Sequence, residues 1–153
     1  MNLPKVFSMR AKQRVILTTM ARVQVREVMR LEVLFVKPEN TLAEALEVMF
    51  KARYHDILVE KDGIFQGIAT WKEIMKVKPE QRHELRVEQL PTKQVSVFSE
   101  ESILDAYKIM AREKTDIVPV LDREAPIRVL GVVTSETVAD AYEKAKASRL
   151  GGL

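Results

Sequence analysis

The sequence predicts an α/β fold in which two β-α-β-β-α units pack as a pseudo-two-fold pair. Three observations predict it. The phrase GIATWKEI at 67–74 returns as GVVTSETV at 131–138: glycine, two small apolar residues, threonine, two variable positions, a polar residue and an apolar one. Upstream, LFVKPENTLAEALEVM (34–49) falls on VSVFSEESILDAYKIM (95–110) at an offset of 61, with Val36 on Val97, Glu39 on Glu100, Ala45 on Ala106 and Met49 on Met110. At the same offset ILVEKDG (57–63) lies on VPVLDRE (118–124); three further residues then enter the second copy around APIRV, and the Gly–Thr phrases align at 64. An insertion at that point is what a hairpin loop tolerates. One unit of about 60 residues has been used twice.

The elements follow in order. Val33–Val36 and Val95–Phe98 are short β-rich runs. Leu42, Ala45, Leu46 and Met49 recur at i, i+3, i+4 and i+7, one helical face, and Ile103, Ala106, Tyr107 and Met110 repeat the spacing. Thr41 with Glu44, and Ser102 with Asp105, stand as helix caps and third helical residues. Then come DILVE and DIVPVL, followed by IFQGIAT and IRVLGVVT, read as strand pairs with Lys61-Asp62-Gly63 as the first turn. A second helix leaves each threonine, and Val138, Ala141, Tyr142 and Ala145 mark its buried stripe in copy two.

The chain thus divides into an N-terminal extension (1–24), copy one (25–77), a polar linker KPEQRHELR within 78–86, copy two (87–147) and a tail (148–153). A unit this small buries little surface alone, so two copies are expected to share a core. The alternation at Val23 and Val25 predicts a short strand. The rest of the extension reads as a solvated or partly disordered arm, or as a segment that covers a sheet edge or exchanges between subunits. The glycines of RLGGL predict a helix stop and a loose end.

Composition excludes several classes. The 153 residues contain no cysteine, so disulfides and thiolate metal sites are ruled out and a cytoplasmic setting is expected. No apolar run approaches the roughly 18 residues of a membrane span, and no secretory signal is expected at the start. Residues 1–30 carry a net charge of +6 and the remainder −3, so the extension is a basic arm on a nearly neutral body. Catalysis has little support: His55 and His83 lack metal-ligand spacing, no serine lies in a nucleophile elbow, and His55 and Asp56 are neighbours on opposite strand faces. No enzyme, metal or cofactor is expected.

The Gly–Thr phrases carry the candidate chemistry. Gly67 and Gly131 remove a side chain where a strand must let a ligand approach its backbone. Thr70 and Thr134 stand where strand becomes helix, and free N–H groups there favour an anion. Lys72, just inside the helix, reads equally as a phosphate partner or a solvated lysine. Glu73 and Thr137 follow one helical turn on, where a carboxylate accepts from two ribose hydroxyls. The competing reading of Thr70–Glu73 is a capping box that serves only the helix.

With these phrases, VREVM (25–29) and IVPVLD (117–122), the sequence over 25 to about 147 resembles the tandem cystathionine-β-synthase (CBS) domain pair, the Bateman module. The resemblance implies a regulatory module that binds an adenine nucleotide or adenosyl ligand between the units, two modules associating into a homodimeric disc, and an unidentified protein target. With no other domain in the sequence, it further implies a stand-alone sensor or a subunit acting on a separate partner. It places Val118 and Pro119 along an adenine slot. His55 lies near a phosphate, and Asp116, its equivalent, near a base edge or ribose. The family's G-h-h-T/S-x-x-D/N ends here in Glu73 and Thr137. Losing a charged acceptor costs about 1.5–3 kcal/mol, so the Glu73 site is the stronger one expected. Trp71, the single tryptophan, reads as interface or half-exposed packing. Two other readings stand beside the sensor: a dimerisation scaffold with degenerate clefts, and a nucleic-acid-associated protein working through the basic arm.

Overall fold

Helix formation in both copies starts at a reciprocal cap. Thr41 Oγ1 accepts the Glu44 N–H and Glu44 Oε1 accepts the Thr41 N–H, both at 3.1 Å. Ser102 and Asp105 repeat this at 3.0 and 3.1 Å. The helices so begun are equal in length. The computed structural model describes the backbone of residues 3–151 and the side chains of 11–147. In it the order is α1 (Leu3–Arg22), α2 (Val25–Val28), β1 (Phe35–Val36), α3 (Leu42–Ala52), β2 (Asp56–Lys61), β3 (Ile64–Thr70), α4 (Trp71–Met75), β4 (Val97–Phe98), α5 (Ile103–Glu113), β5 (Ile117–Leu121), β6 (Val129–Thr134) and α6 (Ser135–Gly151).

Each unit therefore runs β-α-β-β-α, as the repeat predicts. Each has a three-stranded sheet, β1-β2-β3 or β4-β5-β6, with its first pair parallel and its second antiparallel. Even the irregularities repeat: the register slips at Val59/Glu60 and again at Val120/Leu121. The first hairpin is tighter than predicted, because Lys61 pairs with Ile64. Only Asp62 and Gly63 form the loop, both at positive φ as a two-residue turn requires. Pro79–Gln81 in the linker and Val87–Gln89 just after it fold as single 3-10 turns.

Strand alternation sorts the side chains into three cores. Ile57 and Val59 face the helices of unit one with Leu42, Ala45, Met49 and Ile74. Val118 and Val120 do the same in unit two with Ile103, Ala106, Met110 and Val133. On the opposite faces Leu58, Ile68, Ile117 and Val132 meet in a core shared by both sheets. Fully burying one such side chain is worth about 1.5–3 kcal/mol, so the shared core alone makes the pair a cooperative body.

The N-terminal extension corrects the sequence reading. Residues 3–22 are one helix, and Val23 and Val25 do not alternate in a strand. Gln24 makes a single bridge to Ser102, and its N–H is taken by Glu27 Oε2 at 2.9 Å, which starts α2. Nor is α1 a free arm. Ile16 and Met20 are buried against α5 and α6, leaving Lys12, Arg14 and Arg22 exposed. α6 continues through Gly151, the first of the two glycines expected to stop it, and the last two residues lie outside those described. No helix among the described residues is long and apolar enough to cross a membrane.

Each unit is closed by chain that precedes the other. Val25 and Arg26 donate backbone hydrogen bonds to Glu101 and Ser99 of unit two, and Arg30 exchanges both backbone bonds with Val132, at 2.8 and 2.9 Å. Val87 and Glu88 donate to Asn40 and Pro38 of unit one, and Lys93 exchanges both bonds with Ile68 at 2.9 Å. The two glycines make these crossings possible. A Cβ on Gly67 would stand 2.5 Å from Thr92 Oγ1 and Gln94 Nε2, at a φ of +143° that side chains rarely adopt. One on Gly131 would stand 2.7 Å from the Arg30 carbonyl oxygen. Gly131→Ala and Gly67→Ala are each expected to destabilise by about 1–3 kcal/mol. At about 2–4 °C per kcal/mol for a chain of this size, thermal unfolding followed by circular dichroism resolves the loss. An unchanged midpoint for both would refute the crossing as the reason for glycine.

Candidate ligand clefts

The crossings mark two candidate clefts, one beside each Gly–Thr phrase. In the first, Thr70 ends β3 and caps α4, its buried Oγ1 accepting the Glu73 N–H at 3.3 Å. Glu73 is half-buried and holds Lys76 Nζ at 2.7 Å rather than reaching back to close the box. Lys93, bridged to Ile68, extends its ammonium to the Glu113 carbonyl at the end of α5. In the second cleft Thr134 and Thr137, both buried, cap one another. Each hydroxyl accepts the other's N–H at 3.2 Å, and the two hydroxyls stand 3.1 Å apart. Arg30, bridged to Val132, pairs with Glu136 at 2.9 Å, and that bond holds its guanidinium above the ordinary pKa. Tyr54 also lies against Arg30.

Between the clefts the starts of β2 and β5 are tied by carboxylates. Asp56 Oδ2 accepts the Asp116 N–H at 3.0 Å, and Asp116 Oδ2 accepts the His55 N–H at 3.4 Å. Asp56 is buried where its repeat equivalent is Ile117, and it pairs in the sheet with Thr70. Burial, with the neighbouring Asp116 carboxyl, pushes Asp56 up to about 6 against the partial relief of the Asp116 N–H and Lys93. Asp116 Oδ1 is buried without a partner. Below about pH 6 a proton on Asp56 relieves the burial of its charge and the repulsion of the Asp116 carboxyl.

The sequence-predicted residues divide accordingly. Thr70 with Glu73, Thr134 with Thr137, and His55 with Asp116 are each brought together. The His55 ring is largely exposed, with Nδ1 3.6 Å from Asp116 Oδ2 and its edge on Trp71 at 6.4 Å between centroids. Lys72 is exposed on the first turn of α4. Pro119 is buried opposite Val132 on the face toward unit one, whereas Val118 points the other way, into the unit-two core, and is not available to line a slot. Gly67 and Gly131 are also corrected: the space of their missing side chains is filled by the protein's own Thr92, Gln94, Met29 and Arg30. Arg30, Lys93, Asp56 and Glu136 were missed. The first two are equivalent by their bridging partners, but an extra residue between Val87 and Lys93 hides this from a fixed-offset alignment.

The model of the CBS domain family matches residues 25–80 and again 87–144. The chain belongs to the CBS-domain family. A curated relative, inosine-5'-monophosphate dehydrogenase of Aquifex aeolicus (strain VF5), is 27% identical over 121 residues, covering 77% of this chain and 24% of the dehydrogenase. The chain thus spans about a quarter of that enzyme's length. Among solved structures it is similar to the CBS domain of a bacterial CNNM/CorC family Mg2+ transporter in complex with ATP. The TM-score is 0.70 at 21% identity, over 86% of this chain and 96% of the other. It is similar also to CBSX2 in complex with AMP, with a TM-score of 0.69 at 19% identity, over 81% of this chain and 98% of the other. These likenesses show the fold, a CBS pair.

The Asp56 carboxyl gives the pair a pH signature. Its pKa in the fold lies above the ordinary aspartate value of about 3.9, so ionisation is penalised in the folded state only. Its stabilising contribution is complete below that ordinary value and is lost as pH rises through about 6. Asp56→Asn keeps an acceptor for the Asp116 N–H and removes the titration. Urea unfolding across pH should show the variant gaining stability relative to the parent between about pH 4 and 6 and holding that gain above. A pH-independent difference would refute the raised pKa.

Proposed function

We propose that this CBS pair is a regulatory sensor that binds an adenine nucleotide or related adenosyl ligand in the first cleft and acts, as a homodimer, on a separate protein. The observation that carries the reading is the difference between the clefts. At the first, Thr70 stands at a strand-to-helix junction beside a half-buried carboxylate, Glu73, with the Lys93 ammonium nearby and Asp116 and His55 at its margin. In this reading Glu73 accepts from ribose hydroxyls, the Thr70 hydroxyl and α4 N–H groups take a phosphate oxygen, and Lys72 or His55 balances its charge. Pro119 offers an apolar wall to the base. The second cleft has its hydroxyls turned on one another and Thr137 in place of the carboxylate. That half supports the scaffold role.

Relatives of the same fold that carry ATP and AMP support the ligand class. Nothing in the reading requires catalysis, and a cytoplasmic setting fits the cysteine-free chain. A ligand changes the behaviour of a partner only through different affinities for two arrangements of the units. The carboxylate tie between β2 and β5 supplies a junction at which they would differ.

Thermal unfolding with AMP, ADP, ATP and S-adenosylmethionine tests this directly. At about 100 times its dissociation constant a ligand adds roughly 2.7 kcal/mol, which raises the midpoint by about 5–10 °C. The rise should vanish in Glu73→Ala and survive in Thr137→Ala. No rise with any of the four ligands refutes the sensor reading. A rise lost only in Thr137→Ala moves the ligand to the second cleft.

A further inference from the structure

The buried carboxyl at the start of β2 has no counterpart in the repeat. Asp56 is 7% exposed, and the equivalent position in unit two is Ile117, which packs in the shared core. An apolar residue therefore fits this place in the fold, and the carboxyl stands there at a cost to stability. It lies on the seam between the units. Its Oδ2 accepts the Asp116 N–H, its sheet partner is Thr70 of the first cleft, and Asp116 Oδ2 in turn accepts the His55 N–H.

The groups around Asp56 decide what a proton does there. From the start of β5, Asp116 presents a second carboxyl, whose Oδ1 is buried without a partner. Lys93, from the crossing segment, is the cation that faces Asp56, but its ammonium is already bonded to the Glu113 carbonyl at the end of α5. β3 offers Thr70, whose hydroxyl serves the Glu73 N–H, and Glu73 on α4 is paired with Lys76. His55 Nδ1 stands 3.6 Å from Asp116 Oδ2. Ionised, Asp56 thus sets a second negative charge beside Asp116 inside the seam. Protonated, it leaves the Asp116 carboxylate with the His55 ring.

Burial and Asp116 raise the Asp56 carboxyl to about 6, against about 3.9 for an aspartate in water. Any arrangement of the units that hydrates Asp56 is therefore favoured over the closed one by up to about a hundredfold as pH rises from about 4 to 8. A bias of that size takes an arrangement held by about one molecule in a hundred to about half of them.

We propose that Asp56, Asp116 and His55 form a proton-operated joint between the units, closed while Asp56 holds its proton and opened by its ionisation, and that the first cleft binds its anionic ligand in the closed arrangement. The joint stands on the seam alone, whereas its link to a ligand rests on the sensor reading above. Ionised Asp56 also adds negative charge beside Thr70, so charge and arrangement act in the same direction on a phosphate-bearing ligand.

Amide exchange of the full chain by NMR between about pH 4 and 8 reads the joint without ligand, each rate being normalised to that of an unstructured peptide. Protection of the Asp116 and His55 amides should fall about tenfold or more as pH rises through about 6, while amides inside the two sheets hold theirs. Asp56→Asn should keep both amides protected throughout. Asp116→Asn should move the fall to lower pH, and His55→Gln should retain it. Calorimetry with AMP and with ATP then reads the link. Between about pH 5 and 8 the parent should lose about three- to tenfold more affinity than Asp56→Asn, a comparison in which titration of the ligand cancels. No fall in the parent, or one that persists in Asp56→Asn, overturns the joint, and one abolished by His55→Gln moves the proton to the imidazole and overturns Asp56. A fall with the same pH dependence of binding in both proteins overturns the link to the ligand. A fall with no nucleotide bound at any pH overturns the sensor reading and leaves the joint standing.

Discussion

Two crossings hold this structure together, one at each Gly–Thr phrase. Met29–Arg30 and Thr92–Lys93 lie against β6 and β3, close enough that a single methyl group on either glycine would stand within van der Waals contact of the crossing chain. Because each crossing segment precedes the opposite unit, neither half has its own complete edge. The shared core of Leu58, Ile68, Ile117 and Val132 includes Ile68 and Val132, the two residues that the crossings bridge. Any rotation of one unit against the other must strain paired backbone hydrogen bonds at two places.

Within that frame the repeat has been allowed to diverge where chemistry is at stake. Sheets, caps and even register slips are duplicated, but Glu73 faces Thr137 across the pseudo-symmetry, and buried Asp56 matches Ile117. A carboxylate buried beside another is destabilising in its ionised form, and an apolar residue would serve the core better. Its placement at the junction of β2 and β5, paired with Thr70, puts a buried titratable group beside the first site. At the second site the Thr134 and Thr137 hydroxyls are paired with one another and Arg30 with Glu136.

The same divergence governs the outer faces. α1 packs on the helices of unit two through Ile16 and Met20, whereas Phe50 and Trp71 on the helices of unit one stay exposed.

The sequence by itself determined the duplicated unit, its element order and the caps. These rest on local rules: apolar residues three and four apart, a hydroxyl three residues before an acid, a glycine in a tight turn. It also pointed to Thr70, Glu73, Thr134 and Thr137, because repetition distinguishes a phrase from chance. Only the tertiary structure decided that Val118 turns into the core, since one step along a strand reverses the face. It alone placed α1 as a docked helix, because a helix with weak amphipathic patterning takes its burial from the surface it meets. It alone joined Asp56 to Asp116 and gave Arg30 and Lys93 equivalent posts. The Asp56–Asp116 contact joins residues 60 apart in the chain, and a buried carboxylate's proton depends on which groups arrive beside it.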